Sequence, residues 1–364
     1  MAAYIQSIGT ALPEFIATQD SIIDFMVRQF NLDKREERKL RVLYRASGIN
    51  KRYSVLEDFT RNLNGQSFFK EDVFPSSKPR MALFQKHAVG LASQAAKKAI
   101  EDVKIEKNEI THLIAVSCTG MYAPGLDIEL IESLGLNTDT QRTSINFMGC
   151  YAAFNALKLA SNIVASDQNA QVLVVCVELC SIHLQHEREE ENLLANAIFG
   201  DGSAALIING KAGKKSLELS SFYSDLALTG KQEMGWFIGD YGFEMRLSAK
   251  VPDVIRDGIS LLTKRLLDKV DLETSDIDFF AIHPGGKRIL EVIEKELKIT
   301  KEQDAPAREI LKSHGNMSSP TVLFVIKYIF DQLTSIDDQK HLLSFAFGPG
   351  LTLESAVLKA HVNA

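Results

Sequence analysis

Three residues of this 364-residue chain combine chemistry-bearing types with positions that suit acyl transfer: Cys150, His283 and Asn316. Cys150 follows TSINFMG and precedes the apolar run YAAFNALKLASNIV, so it is expected at the start of a helix. Unpaired N–H groups and the positive end of a helix dipole favour thiolate there, and Gly149 permits a tight entry into the turn. The plain alternative is a buried capping cysteine. His283 ends the run IDFFAI and precedes Pro284-Gly285-Gly286, which puts an imidazole at the exit of a buried strand. Asn316 lies in SHGNMSSP ahead of TVLFVIKYIF, and taken singly it reads as an N-cap or turn residue, with Pro320 in the helix's first turn. Together, a thiol that accepts an acyl group and two neutral donors that polarise a carbonyl serve either a cysteine hydrolase or an acyl-condensing enzyme.

The elements that must position these groups follow an α/β alternation. Apolar β-rich runs predict strands over Thr111 to Ser117, Gln171 to Cys176 and Ile277 to Ile282. Amphipathic periodicity predicts helices over Lys86 to Glu101, Leu126 to Leu134, Tyr151 to Ala165, Pro252 to Leu267 and Pro320 to Leu333. A weak internal echo accompanies them. FGDG at 199–202 leads into SAALIIN, and FGPG at 347–350 leads into LTLESAVLK; Gly149-Cys150 and Gly315-Asn316 each precede a long apolar helix. A duplicated α/β unit explains both coincidences, and the polar, glycine-containing stretch 209–215 is the natural boundary between halves.

Composition bounds the function. Apolar residues make up 45% and charged residues 24%, an ordinary globular balance, and the formal charge of −6 argues against a nucleic-acid partner. No apolar run approaches the ~20 residues of a membrane span, and no secretory signal is visible at Met1 to Ile5, so a cytoplasmic protein is expected. Cys118, Cys150, Cys176 and Cys180 form no CxxC pair and no zinc spacing with His183, so no metal is expected.

The stretches INFMGCYAAFNALKLA, VLVVCVELCSIH, NAIFGDGSAALII, AIHPGGKRIL, SHGNMSSPTVLF and FAFGPGLTLESAVL resemble, in order, the type III polyketide synthases, the chalcone synthase-like family. THLIAVSCTG and INKRYS extend the resemblance over nearly the whole chain. It implies a thiolase-like fold of two duplicated α/β halves in an αβαβα arrangement, 1–212 carrying Cys150 and 213–364 carrying His283 and Asn316. It implies a homodimer that loads an acyl starter from an acyl-CoA on Cys150 and extends it with malonyl-CoA. CoA thioesters are substrates, and no resident cofactor is implied. His283 and Asn316 resemble the pair that binds the malonyl thioester carbonyl, where two donors would stabilise the enolate left by decarboxylation. His283 is further expected to hold the Cys150 thiolate as an ion pair.

Phe199 resembles the family's aromatic gate between CoA tunnel and reaction cavity. Arg38, Arg41 and Arg45 form one helical stripe, by spacing alone an ordinary solvated face; in the family three basic residues so spaced grip the phosphates of CoA. Departures from the plant pattern fall on cavity positions: Cys118 and Thr119, Ala123 for a methionine that reaches across the dimer, Cys180 and His183 for threonines, Trp236 for a glycine, Met245 for a phenylalanine. Ser318, within GNMSS, completes the expected lining. Three alternatives stand beside this reading: a single-round β-ketoacyl synthase using an acyl carrier protein, a catalytically silent acyl-thioester-binding protein, and a cysteine hydrolase. A carrier protein is also a possible starter donor.

Overall fold

The computed structural model describes residues 2–60, 67–70, 74–185, 187 and 189–363. In chain order its elements are β1 (Tyr4–Ala11), β2 (Phe15–Thr18), α1 (Gln19–Gln29), α2 (Lys34–Ala46), β3 (Lys51–Ser54), α3 (Ser77–Val103), β4 (His112–Ser117), α4 (Leu126–Leu134) and β5 (Gln141–Asn146). These lead to α5 (Ala152–Ser166), β6 (Val172–Leu179), α6 (Glu190–Ile198) and β7 (Asp201–Asn209). After the polar loop 210–214 come β8 (Lys215–Leu226), β9 (Met234–Gly239), β10 (Gly242–Leu247), α7 (Val251–Leu267), β11 (Ile277–Ile282) and α8 (Lys287–Leu297). The chain ends with α9 (Ala305–His314), α10 (Pro320–Gln332), β12 (His341–Gly348) and β13 (Thr352–Val362).

The internal echo is a structural repeat. Parallel β4 and β6 are followed across the sheet by antiparallel β7 and β1; parallel β11 and β12 are followed by antiparallel β13 and β8. The two sets are not separate sheets. Tyr4 and Ile5 of β1 pair with Glu218 and Leu217 of β8, giving one nine-stranded sheet in the order β11-β12-β13-β8-β1-β7-β6-β4-β5. Helix α5 packs on β4, β5, β6 and β7 and also on β8 and β13, while α10 packs on β11 and on β1, β6 and β7. These two helices are therefore the middle layer. With α3 outside the first set and α7 outside the second, the layers run α, β, α, β, α.

Strands covered on both faces should be apolar throughout rather than alternating. β6 is buried at every position and β7 at all but its last. A polar tie also crosses the layers: Lys158 of α5 donates to Glu354 of β13 at 2.8 Å, and Glu354 is 3% exposed. No helix among the described residues is long and apolar enough to cross a membrane.

Candidate active site

Cys150 and Asn316 occupy matching places in the repeat. Cys150 lies in a single 3-10 turn, Gly149–Tyr151, directly before α5. Gly149 has φ 80°, and a Cβ there would come within 2.5 Å of Pro349, so glycine is required where this turn meets the FGPG turn. Gly315 has φ 70° and a Cβ on it would meet Arg52 and the Ile198 carbonyl at 2.8 Å. Asn316 follows it as Cys150 follows Gly149.

The Asn316 amide is oriented before any substrate arrives. Its Oδ1 accepts from the Ser318 N–H at 2.8 Å and from the Thr321 hydroxyl at 3.4 Å. Its Nδ2 faces the Gly285 carbonyl at 3.5 Å, and both amide heteroatoms stand 3.9 Å from Cys150 Sγ. The backbone is fixed as well, because Asn316 N–H donates to Ile198 O at 2.8 Å and Gly200 N–H donates to Asn316 O at 2.9 Å. These bonds bridge Phe199 to Asn316, so Phe199 and the amide share one support. Asn316 is thus neither bystander nor N-cap; Ser319 takes the cap position of α10.

His283 leaves β11 as the sequence predicts, its N–H donating to Phe345 O at 2.8 Å. The residue is 1% exposed, and neither ring nitrogen has a hydrogen-bond partner among the described residues. Buried polar groups are nearly always satisfied, so an orphaned imidazole marks a place kept for a ligand. Cys150, His283, Asn316 and Phe199 line one cavity of about 350 Å³.

Electrostatics bear on one sequence expectation. Burial pushes the Cys150 thiol up to about 11, although Ser318 and Asn316 pull it back, and burial lowers the His283 imidazole to about 3. Burial thus acts against the ion pair expected of these two side chains. Cys150 sits buried in the turn ahead of α5, so burial opposes the stabilisation that a helix start gives a thiolate.

Behind the cavity lies Glu178 of β6, a 0% exposed carboxyl that the sequence reading missed. It accepts from Ser117 and Thr119 hydroxyls at 3.2 and 2.7 Å, Cys118 N–H at 3.0 Å, Cys118 Sγ at 3.1 Å and Ser319 Oγ at 2.6 Å. Burial nevertheless raises its pKa. A lone acid inside VLVVCVELC was the available signal, because an unpaired charge in a buried strand is too costly to be incidental. Cys118 and Thr119 are therefore consumed as supports of this network, and neither is among the lining residues of the cavity. Ser318, at φ 57°, contacts Cys118 Sγ at 3.3 Å and links the network to Cys150.

Phe199 and Met245 also line a second, smaller chamber of about 50 Å³, with Cys180, His183, Trp236, Phe243, Ala17, Ile22 and Phe59. Phe199 and Met245 thus stand between two spaces. Met245 and Trp236 are direct cross-strand partners on the β9–β10 hairpin. The Trp236 indole donates to Cys118 O at 2.6 Å. His183 is locked: Nε2 donates to Thr119 O at 2.7 Å, Nδ1 accepts from Phe243 N–H at 2.9 Å, and the ring stacks on Phe243 at 4.4 Å. Ala123 is exposed and lines neither space in its own chain.

The arginine stripe is not uniform. Arg38 and Arg45 are exposed, but Arg41 is held by Asp24 at 2.9 Å and Glu37 at 2.8 Å, with its guanidinium pKa raised by both. No cluster of His, Cys, Asp or Glu that could hold a metal exists among the described residues.

Comparison with known proteins places this architecture. Residues 1–212 match the model of the chalcone and stilbene synthase N-terminal domain, and residues 224–362 that of the C-terminal domain. The chain is 32% identical, over 97% of its length and 90% of the relative, to the alpha-pyrone synthesis polyketide synthase-like Pks18 of Mycobacterium tuberculosis. It is 28% identical to type III polyketide synthase C of Arabidopsis thaliana, over 98% and 95% of the two chains. Among solved structures, PKS-I from the brown alga Ectocarpus siliculosus superposes with a TM-score of 0.93 at 30% identity, covering 98% of each chain. The layered fold, the cysteine at the turn and the paired family domains thus have one explanation: this chain belongs to the chalcone and stilbene synthase family and is a type III polyketide synthase, an acyltransferase that forms carbon–carbon bonds.

Proposed function

We propose that Cys150 carries the starter and that His283 and Asn316 bind the thioester carbonyl of malonyl-CoA. The observation that carries this reading is the Asn316 amide 3.9 Å from Cys150 Sγ, together with an imidazole whose nitrogens are both unpartnered in the same cavity. Cys150 sulfur attacks the acyl-CoA carbonyl, its proton passes to His283, and CoA leaves as the thiol. Malonyl-CoA then loses CO2, and the resulting enolate oxygen is held by His283 and Asn316 N–H groups. The enolate carbon attacks the Cys150-bound acyl carbonyl. A carbon–carbon bond forms, the carbon–sulfur bond to Cys150 breaks, and the thiol is regenerated.

Purified protein incubated with malonyl-CoA and a panel of starter thioesters, followed by mass spectrometry, tests the reading. The expected result is release of CO2 and products longer than the starter by two carbons per extension. Release of free acid without CO2 would mean a hydrolase, and binding without turnover a silent acyl-thioester protein.

In the same reading the starter's acyl part passes Phe199 toward the second chamber, and Trp236 limits what fits there. Trp236→Gly should admit bulkier starters or additional extensions. The side chain is half-buried, so the loss of stability should stay below the ~3–5 kcal/mol of a fully buried aromatic. An unaltered product profile in a folded variant removes Trp236 from the site. A cytoplasmic homodimer completes the reading; the outer edge strand β5, exposed along most of its length, is the feature that supports self-association.

A further inference from the structure

We propose that Arg52 of β3 is a positioning residue for malonyl decarboxylation: its buried guanidinium holds the end of α6 on which the Asn316 amide is mounted. The inference rests on the role given to Asn316 above.

A helix ends in carbonyls that no turn of its own satisfies. At the end of α6, Phe199 N–H still donates to Ala195 O. The next donor is diverted: Gly200 N–H, which would close on Asn196 O in a continuing helix, donates to Asn316 O at 2.9 Å instead. Arg52 takes the vacated place. Its Nη1 donates to Asn196 O at 2.8 Å and also to Phe199 O. Between them, Ile198 O accepts the Asn316 N–H at 2.8 Å, and Ala197 O accepts from Gln19 Nε2 at 2.9 Å. Gln19 is itself tied to the guanidinium, because Arg52 Nε donates to Gln19 Oε1 at 3.2 Å. The carbonyls from Asn196 to Phe199 are thus closed by Arg52, Gln19 and the Asn316 backbone, with a cation at the negative end of the helix.

The arginine stem acts on the same two segments. A Cβ on Gly315 would meet Arg52 Cγ and Cδ at 2.8 Å, and one on Gly200 would meet Arg52 Cβ at 3.3 Å. Gly315 precedes Asn316 and Gly200 follows Phe199, so the stem is wedged where the Phe199–Asn316 bridge is made. Arg52 is 5% exposed, and its guanidinium lies over the Tyr44 ring. Burial opposes its charge, with Tyr44 and Asp201 offsetting part of that. A buried cation is costly where an apolar side chain could fill the space. What the charge maintains here is a division of donors. Without Arg52, Asn196 O competes for Gly200 N–H, the bond that fixes Asn316 O, and the amide loses its setting.

The test is CO2 release from malonyl-CoA with no starter present, because Arg52 also borders the second chamber and would affect starter fit. Wild type, Arg52→Met, Asn316→Ala and the double variant form a cycle. Thermal midpoints report folding, and alkylation of Cys150 by iodoacetamide reports the thiol end of the cavity. Arg52→Met should lower kcat for CO2 release about 10- to 100-fold, the scale of a misplacement of about an ångström. KM for malonyl-CoA and the alkylation rate should stay within about twofold of wild type, since only transition-state positioning is lost. In the Asn316→Ala background the same change should cost nothing further, because residues that act as one unit are not additive. Arg52→Lys, which keeps the charge without the planar fork, should recover part of the rate.

Equal losses from Arg52→Met in the wild-type and Asn316→Ala backgrounds overturn the proposal, as does an unchanged kcat in the folded single variant. So does a parallel loss of Cys150 alkylation, which would make Arg52 a support of the whole fold. Should Arg52→Met not fold, Arg52→Lys takes its place in the cycle and is judged by the same criterion. CO2 release at wild-type rate in Asn316→Ala would instead sink the reading of Asn316, and this proposal with it, a result distinct from additive losses.

Discussion

Cys150→Ala should abolish condensation, with product formation down by roughly 10⁴-fold or more, the scale seen when a covalent nucleophile is removed. The reason lies in the neighbours as much as in Cys150. Cys118 is the nearest candidate replacement, linked to the site through Ser318, but its Sγ faces Glu178 at 3.1 Å and both burial and that carboxyl push its pKa well above the usual thiol range. It cannot stand in as a thiolate. Intact-protein mass after incubation with an acyl-CoA separates the roles. Wild type and Cys118→Ala should each gain one acyl group, and Cys150→Ala none. Cys150→Gln, which imitates the acylated sulfur, should retain malonyl-CoA decarboxylation without condensation, because His283 and Asn316 remain. Acylation of the Cys150→Ala protein would remove Cys150 as the nucleophile.

The fold was legible where each element obeys one period. α4 at Leu126–Leu134 and β11 at Ile277–Ile282 match the sequence expectation residue for residue. α3 does not: it begins at Ser77, nine residues before the expected Lys86. Its first turns bury Arg80, whose guanidinium donates to the Pro75, Ile182 and Leu184 carbonyls and lies over Phe69 and Phe74. A charged residue on the core face breaks the apolar pattern, so periodicity alone ends too late. The β9–β10 hairpin was missed for a related reason. It leaves Phe237 and Ile238 exposed and gives no alternation to read.

The site was legible as residues and not as energetics. Cys150, His283 and Asn316 each follow a strand exit or a glycine turn, and such places can be recognised from the chain. What could not be read is how burial changes them. Cys118 and Thr119, expected in the lining, are spent on Glu178; Arg41, expected to meet phosphate, is spent on Asp24 and Glu37. Glu178 is hidden in an apolar run and Asp24 lies on another helix, so only packing brings those partners in, whereas Glu37, four residues before Arg41, was within reach of the sequence.

His283→Ala should slow alkylation of Cys150 by iodoacetamide about 10²–10³-fold near neutral pH, the scale of a lost general base. Among the described residues, both His283 ring nitrogens are unpartnered in the cavity that holds the thiol, which leaves the ring placed to accept a proton. In the wild type the thiol's proton can pass to that ring. Without it, ionisation depends on solution base alone, against the burial that already raises the thiol in the wild type. A raised thiol pKa means neutral thiol below it and thiolate above, so the variant's alkylation rate should keep climbing to a higher pH than the wild type's. The wild-type rate should level off earlier. Asn316→Ala supplies the contrast, since it removes a donor to the enolate but no proton acceptor. It should cost about 10²–10³ in decarboxylation, the scale of one oxyanion donor, while alkylation near neutral pH stays close to wild type. Identical alkylation profiles for wild type and His283→Ala would show that the imidazole does not take the proton of Cys150, and the condensation would then need another base.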